Sequence, residues 1–507
     1  MNPRAHLEKA IALDPKYPKS YYSLGLLNKK EGNDDEALEN FKRAVSIDKE
    51  FAEAQCELAI SLMKKNELDE ARIHFLNSLE INPNYADAYY YYGLLLVKLK
   101  DNEEAKNTFD KVTEIDQNYS SAYFHKARIL THPDDFESAR SNYETAIDIN
   151  EKFEEAHYYM AKLLIGGVAT DKEGTIVDKS NIPEAKKHLL NVLKLNPKNA
   201  KALYNLGKVH IVEDCYSKAK INLKKAISAD KEYSKAYFLL GTVFLQEKDN
   251  RNAEKNLTNS IKFFEQNSNA HFKLGEMYYM EENFQKSEEH LKISLSIEDE
   301  NAHAQYYLAN IYRKDEDPNL AKKYFYRSLE INPDFATAYY DLGNHCLETN
   351  DINEAKIHYQ KATDIDQNYA LAYFQLAKTL QNPSEFDQAF RNFETALEID
   401  PSMTECHYHF ANLLMKGEKL KNDGTLVIEP DLKRAESHLR KAVEIDDKFF
   451  LAHYKLGNLL CIQEKHTLAY ESYVKCIQIE ESFAKGHYKI AVLLMSGKVD
   501  DTLLRSK

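Results

Sequence analysis

Small and large apolar residues recur along this chain with a fixed period. Leu24, Gly25, Ala37, Phe41 and Ala44 return 34 residues later as Leu58, Ala59, Ala71, Phe75 and Ser78, and again as Gly93, Ala105, Phe109 and Val112. A sustained period of this length is the signature of stacked supersecondary units. Helix breakers fall at set places within the unit. Gly32 is suited to the left-handed residue that ends a first helix, and Asn33 or Asp34 to capping a second. Pro83, Pro197, Pro333 and Pro401 stand where a second helix must stop. Each unit is therefore predicted to be a helical hairpin. One hairpin cannot bury its own apolar faces, so stacked neighbours supply the core.

With Gly25 set at position 8 of a unit, units begin at residues 18, 52, 86, 120, 154, 200, 234, 268, 302, 336, 370, 404, 450 and 484. Position 8 is Gly seven times and Ala seven times, position 20 is Ala in twelve of thirteen units with Ser287 the exception, and position 24 is always Phe, Tyr or Leu. Small residues at 8 and 20 leave the space that the large residue at 24 fills. In length and in these positions the unit resembles the tetratricopeptide repeat, and the resemblance runs over essentially the whole chain. It implies an all-α fold, a right-handed superhelical solenoid of about 14 helical hairpins.

A second period lies above the first. Shifted by 250 residues, the chain aligns with itself without a gap: Ser78–Pro83 recurs as Ser328–Pro333, Ile115–Tyr119 as Ile365–Tyr369, and Pro133 meets Pro383. Repeats 5 and 12 are both 46 residues long, with the extra segment between their two helices. The expected organisation is a half repeat at 1–17 (second helix only), a seven-repeat block at 18–267 with an insertion near 167–180, and a second block at 268–507 with an insertion near 417–430 and an incomplete last repeat. Because the chain opens on a second helix and stops after a first, two expectations follow. It is a piece of a longer array, the favoured one, or its ends dock in succession to form open filaments.

Composition narrows the function. The net charge of −14 argues against a phosphate-tracking surface, so nucleic acid is not an expected partner. No run approaches a membrane span, and the charged N-terminus lacks the apolar core of a signal peptide. The six cysteines have no metal-site spacing and read as reduced thiols. The expected setting is cytoplasmic, with a ciliary or cytoskeletal assembly as the alternative.

No phosphate loop, zinc-protease motif or nucleophile elbow is present, so no catalytic, cofactor-binding or metal-binding residue is assigned and the chain is read as a non-enzyme. Ten of the 18 histidines fall at position 4 (His157, His271, His407, His453, His487) or position 23 (His74, His188, His290, His358, His438), which marks a structural slot rather than a metal centre. The insertions fail as calcium loops, because Ala169 and Ser180 in the first and Lys419, Lys421 and Pro430 in the second stand at ligand positions.

The resemblance implies that positions 2, 5, 9 and 12 of the first helix face a concave groove. Position 5 is aromatic in thirteen of fourteen repeats, and position 9 carries Asn four times in the second half. The candidate partner-binding residues are therefore Tyr306, Asn310, Tyr340, Asn344, Phe374, Tyr408, Asn412, Tyr454, Asn458 and Tyr488. Aromatic faces would hold apolar side chains, and amides an extended backbone. Chaperone-binding members of the family use Lys at position 5, and no repeat here has it. The expected function is a scaffold or adaptor that binds protein or peptide partners in the groove. One alternative is a structural component of a cytoskeletal or ciliary assembly, with end-to-end self-association or membership of a larger complex. The other is the recruiting arm of an enzyme similar to the O-linked N-acetylglucosamine transferases, without its catalytic domain. Only Asn205 matches the position-6 asparagine ladder of those enzymes.

Overall fold

The computed structural model describes residues 3–166, 181–315, 317–416, 419–420, 426–427 and 430–499. Among the described residues it is an all-α repeat solenoid of 28 α-helices, with two 3₁₀ turns and one two-stranded pairing. First helices run thirteen residues in most repeats (Ala52–Lys64, Ala86–Lys98, Ala336–Glu348), and second helices fourteen (Leu68–Ile81, Asn102–Ile115, Ile352–Ile365). The chain divides into two compact units, Met1–Glu265 and Gln266–Lys507. The small pairing, Lys419 with Val427 and Leu420 with Leu426, is antiparallel and lies within the insertion of repeat 12. The insertion at 167–180, including Ala169 and Ser180, lies outside the described residues, as does the remainder of 417–429.

The packing rule predicted for positions 8, 20 and 24 has a direct geometric basis. A Cβ placed on Gly25 would sit 2.6 Å from the Phe41 ring, and on Gly343 it would sit 2.7 Å from the Tyr359 ring. Gly93, Gly207, Gly241, Gly275 and Gly457 meet the position-24 side chain of their own repeat in the same way. The contact is therefore made inside each hairpin, between its own two helices. Ser287, the exception at position 20, is fully buried and donates to the Gly275 carbonyl at 2.7 Å, so its hydroxyl is satisfied in an alanine's place.

The turn between the helices uses the left-handed region more widely than glycine content suggests. Gly32 has φ 82°, but Asn66, Lys100, Asp214, Lys248, Glu282, Asn350 and Glu464 take the same place in their repeats at φ between 55° and 66°. Asn33 occupies the N-cap place without a side-chain bond. Asp101, Asp249, Asn283, Asp317, Asp351 and Asp431 do cap their helices by accepting a backbone N–H.

Repeats 4 and 11 differ. Their first helices, Ser120–Ile129 and Ala370–Thr379, stop after ten residues, and 3₁₀ turns follow at Pro133–Asp135 and Pro383–Glu385. Proline disfavours the helical conformation of the residue before it, and His132 is accordingly extended at φ −73°, ψ 145°.

Within each unit, first helices of successive repeats pack on one another. In the first unit Ala52–Lys64 meets Ala86–Lys98, Glu154–Gly166 meets Ala200–Val212, and the latter meets Ser234–Gln246. In the second, Ala302–Lys314 meets both Ser268–Met280 and Ala336–Glu348. Among the described residues second helices make no contact of that extent with one another. Closer approach on one side curves a stack toward that side, so within each unit the first helices form the inner face.

Candidate functional site

The ten candidate residues all lie on first helices of the second unit, yet most are engaged within their own repeat. The position-5 ring packs on the ring at position 34 with great regularity. Tyr306–Phe335, Tyr340–Tyr369, Tyr408–Phe449 and Tyr454–Phe483 have centroids 5.1 Å apart. In the first unit Tyr22–Phe51 and Tyr90–Tyr119 repeat the contact at 5.0 Å. The same ring also meets position 24, as in Tyr340–Tyr359 at 5.9 Å and Tyr454–Tyr473 at 5.8 Å. One edge of each ring is thus held by the hairpin. Phe374 and Phe124 are buried at 3% and 5% exposure, Tyr488 is 67% exposed, and the other rings of the ladder are partly exposed.

The asparagines serve the hairpin as well. Tyr359 and Tyr473 at position 24 each donate their hydroxyl to the amide oxygen at position 9, Asn344 and Asn458 respectively, both at 2.8 Å. Where position 24 is Leu439 no such donor exists, and the Asn412 oxygen is buried without a partner. Asn310, 2% exposed, donates to the Tyr306 carbonyl at 3.2 Å. The inner face also carries a polar node that the sequence did not single out. Tyr306 donates to Asp341 at 2.6 Å, Asn344 donates to the same carboxylate at 3.3 Å, and the Arg313 guanidinium lies 3.7 Å from it. Burial and the Asp341 carboxylate both hold the Tyr306 phenol well above its ordinary range.

An opening lies beside the shortened first helix of repeat 4 in the first unit. A cleft of about 760 Å³ lies between repeats 4 and 5, lined among others by Arg128, Thr131, Phe136, Tyr143, Tyr159 and Lys162. Among the described residues no acidic side chain lines it. The Arg128 guanidinium stacks 4.9 Å from the Tyr159 ring centroid and 5.6 Å from that of Phe124, and the Lys162 ammonium stands 5.8 Å from Tyr159.

The histidine slots are resolved into pairs. His157–His188, His271–His290 and His407–His438 approach through their Nδ1 atoms at 2.8, 3.0 and 2.9 Å. In repeat 12 the His407 Nε2–H donates to the Pro401 carbonyl at 3.1 Å, so its Nδ1 accepts and His438 Nδ1 donates. Repeat 2 has Gln55 in the first place, which accepts from His74 and donates to the Lys49 carbonyl. Burial, then the neighbouring His407, push His438 down to about 4.

Among the described residues one group brings three metal-type donors within 4.8 Å of one another: Cys346, Glu354 and His358. The Glu354 carboxylate is already held by Lys322 at 2.6 Å and by the Tyr326 hydroxyl at 2.5 Å, which together keep it near 2. Burial raises the Cys346 thiol to about 12. A carboxylate already engaged by a lysine and a tyrosine, and a protonated thiol, are poor ligands, so no metal is assigned. No helix among the described residues is long and apolar enough to cross a membrane.

Family models agree with this architecture. Three tetratricopeptide-repeat family models match, one over residues 300–368, one over 6–39 and 74–107, and one over 52–85 and 120–153. The chain is a tetratricopeptide-repeat protein, and in general terms that makes it a protein-interaction scaffold. No curated protein matches it. It is similar to the solved structure of YrrB, a TPR protein with an unusual peptide-binding site, at 24% identity over 41% of this chain and 97% of that one (TM-score 0.33). It is also similar to the Cut9–Hcn1 hetero-tetramer of APC/C, at 13% identity over 96% and 98% (TM-score 0.39). MamA is 25% identical over 34% and 99% (TM-score 0.29).

Proposed function

We propose that this protein is a non-catalytic scaffold that holds an extended segment of a partner protein against its first-helix face. The observation that carries the reading is the closer approach of successive first helices, which turns their exposed residues toward the concave side of each unit. Partly exposed rings at position 5, held from beneath by positions 24 and 34, give that face rigid aromatic edges at low entropic cost. The setting is a cytoplasmic one.

Because each position-5 ring also fills its own hairpin, removing Tyr340, Phe374 or Tyr408 would damage folding and binding together. The informative change is on the same face but outside that packing. Leu371 at position 2 is 47% exposed, and Ile357 on a second helix is 60% exposed. The protein is used as bait in extracts of its source cell, and captured partners are quantified by mass spectrometry. Leu371→Glu is expected to deplete specific partners while Ile357→Glu leaves them. Retention by the first variant and loss by the second would move the binding surface to the second helices.

A further inference from the structure

Resting on that reading, we infer that the inner face of repeats 4–7 binds an acidic segment of a partner protein, with an acidic residue seated in the cleft between repeats 4 and 5. The chain as a whole is acidic, with 67 Lys and Arg against 81 Asp and Glu. The four first helices of these repeats reverse that balance. They carry Lys126, Arg128, Lys162, Lys201, Lys208 and Lys235 against two carboxylates, Glu154 and Glu155, both in the first turn of one helix.

Among the described residues, only Lys126 of these six cations has a carboxylate partner, Asp110. Arg128 and Lys162 instead crowd one ring, Tyr159, at 4.9 and 5.8 Å. Lys208 is half buried, and burial together with Lys235 lowers its affinity for the proton. A solvated surface normally intersperses signs, so cations with no carboxylate partner among the described residues, held together on a concave face, call for an anion from outside. Arg128, Lys162 and Lys208 occupy position 9 in three successive repeats, and the first helices of Lys162 and Lys208 pack on one another. One cation per repeat suits an extended chain with charges at intervals, which is a peptide. Phe136, Tyr143 and Tyr159 in the cleft wall would cover the aliphatic stem of the seated acidic side chain.

The test uses fluorescence anisotropy with the full chain and a fluorescein-labelled twelve-residue peptide of alternating Glu and Leu, beside the same peptide with Gln for Glu. The Glu peptide is expected to bind about tenfold more tightly or better, and Lys208→Gln with Arg128→Gln to weaken it by about tenfold without affecting the Gln peptide. Lys208→Gln removes a charge that burial already penalises, so the variant keeps its fold, which circular dichroism checks. Equal binding of the two peptides, no effect of the variants, or equally strong capture of phosphatidylserine vesicles or polyuridylate RNA would overturn the inference. If Leu371→Glu still depletes partners while the Glu preference is missing, this inference falls and the scaffold reading stands.

Discussion

Replacing His438 by Gln should make repeat 12 less sensitive to acid while leaving it nearly as stable at neutral pH. In the native pair His438 donates from Nδ1 to His407 at 2.9 Å, and a Gln amide can donate there in its place. The folded pKa of about 4 lies below the ordinary value of 6.5, so between those limits the unfolded chain binds more protons. Stability is therefore complete above about pH 6.5 and is lost as pH falls toward 4. A shift of that size corresponds to about 2 kcal/mol lost between pH 7 and pH 5. The ring is only partly buried, with Arg434 lowering its pKa and Glu394 and Asp431 raising it, so screening brings the figure to about 1 kcal/mol. Hydrogen exchange over Thr404–Lys416 and Leu432–Ile445, corrected for intrinsic rates, measures that local stability at both pH values. The variant should lose about 1 kcal/mol less than the parent between pH 7 and pH 5. An unchanged or larger loss would refute the argument. His407→Gln is a useful companion, because Gln55 in repeat 2 already makes both bonds that the first-position residue needs.

Three further outcomes follow from the packing. Gly343→Ala places a methyl 2.7 Å from the Tyr359 ring and should cost about 1–3 kcal/mol in urea unfolding followed by circular dichroism. Lys248→Gly relieves a left-handed lysine at φ 60°, and should raise stability by about 0.5–1 kcal/mol in the same assay despite the freer unfolded chain. Asn412→Leu removes a buried oxygen with no partner and should stabilise repeat 12 by about 1 kcal/mol, read as slower hydrogen exchange over Thr404–Lys416.

How much of this was legible in the sequence depends on whether the contact is local. The hairpin register was readable because positions 8, 20 and 24 meet within one repeat, so every copy states the same constraint. The shortened helices were not read from Pro133 and Pro383. These prolines marked the duplication, and only the backbone shows the lost turn that opens the cleft beside Arg128. The left-handed turns at Lys100, Lys248, Glu282 and Glu464 carry no glycine to announce them. The candidate aromatics and asparagines lie on first helices, and their partners at positions 34 and 24 were missed. The signal was available: Asn344 and Asn458 occur where position 24 is Tyr359 and Tyr473. The histidines were read as a structural slot, and their direct pairing between positions 4 and 23 gives that slot a physical form. The cationic inner face of repeats 4–7 escaped notice because it is a sum over four separated helices in an acidic chain.

Photo-crosslinking reports whether partners lie on the first-helix face. Benzoyl-phenylalanine is placed one site at a time at Leu371, Gln375 and Lys378 on a first helix and at Ile357, Ile73 and Ile221 on second helices, in the full chain within its source cell. Crosslinked partner peptides are mapped by mass spectrometry. The account predicts that the first-helix sites capture one contiguous partner segment in register along the face and that the second-helix sites do not. Capture of such a segment from the second-helix sites, with none from the first, would contradict it.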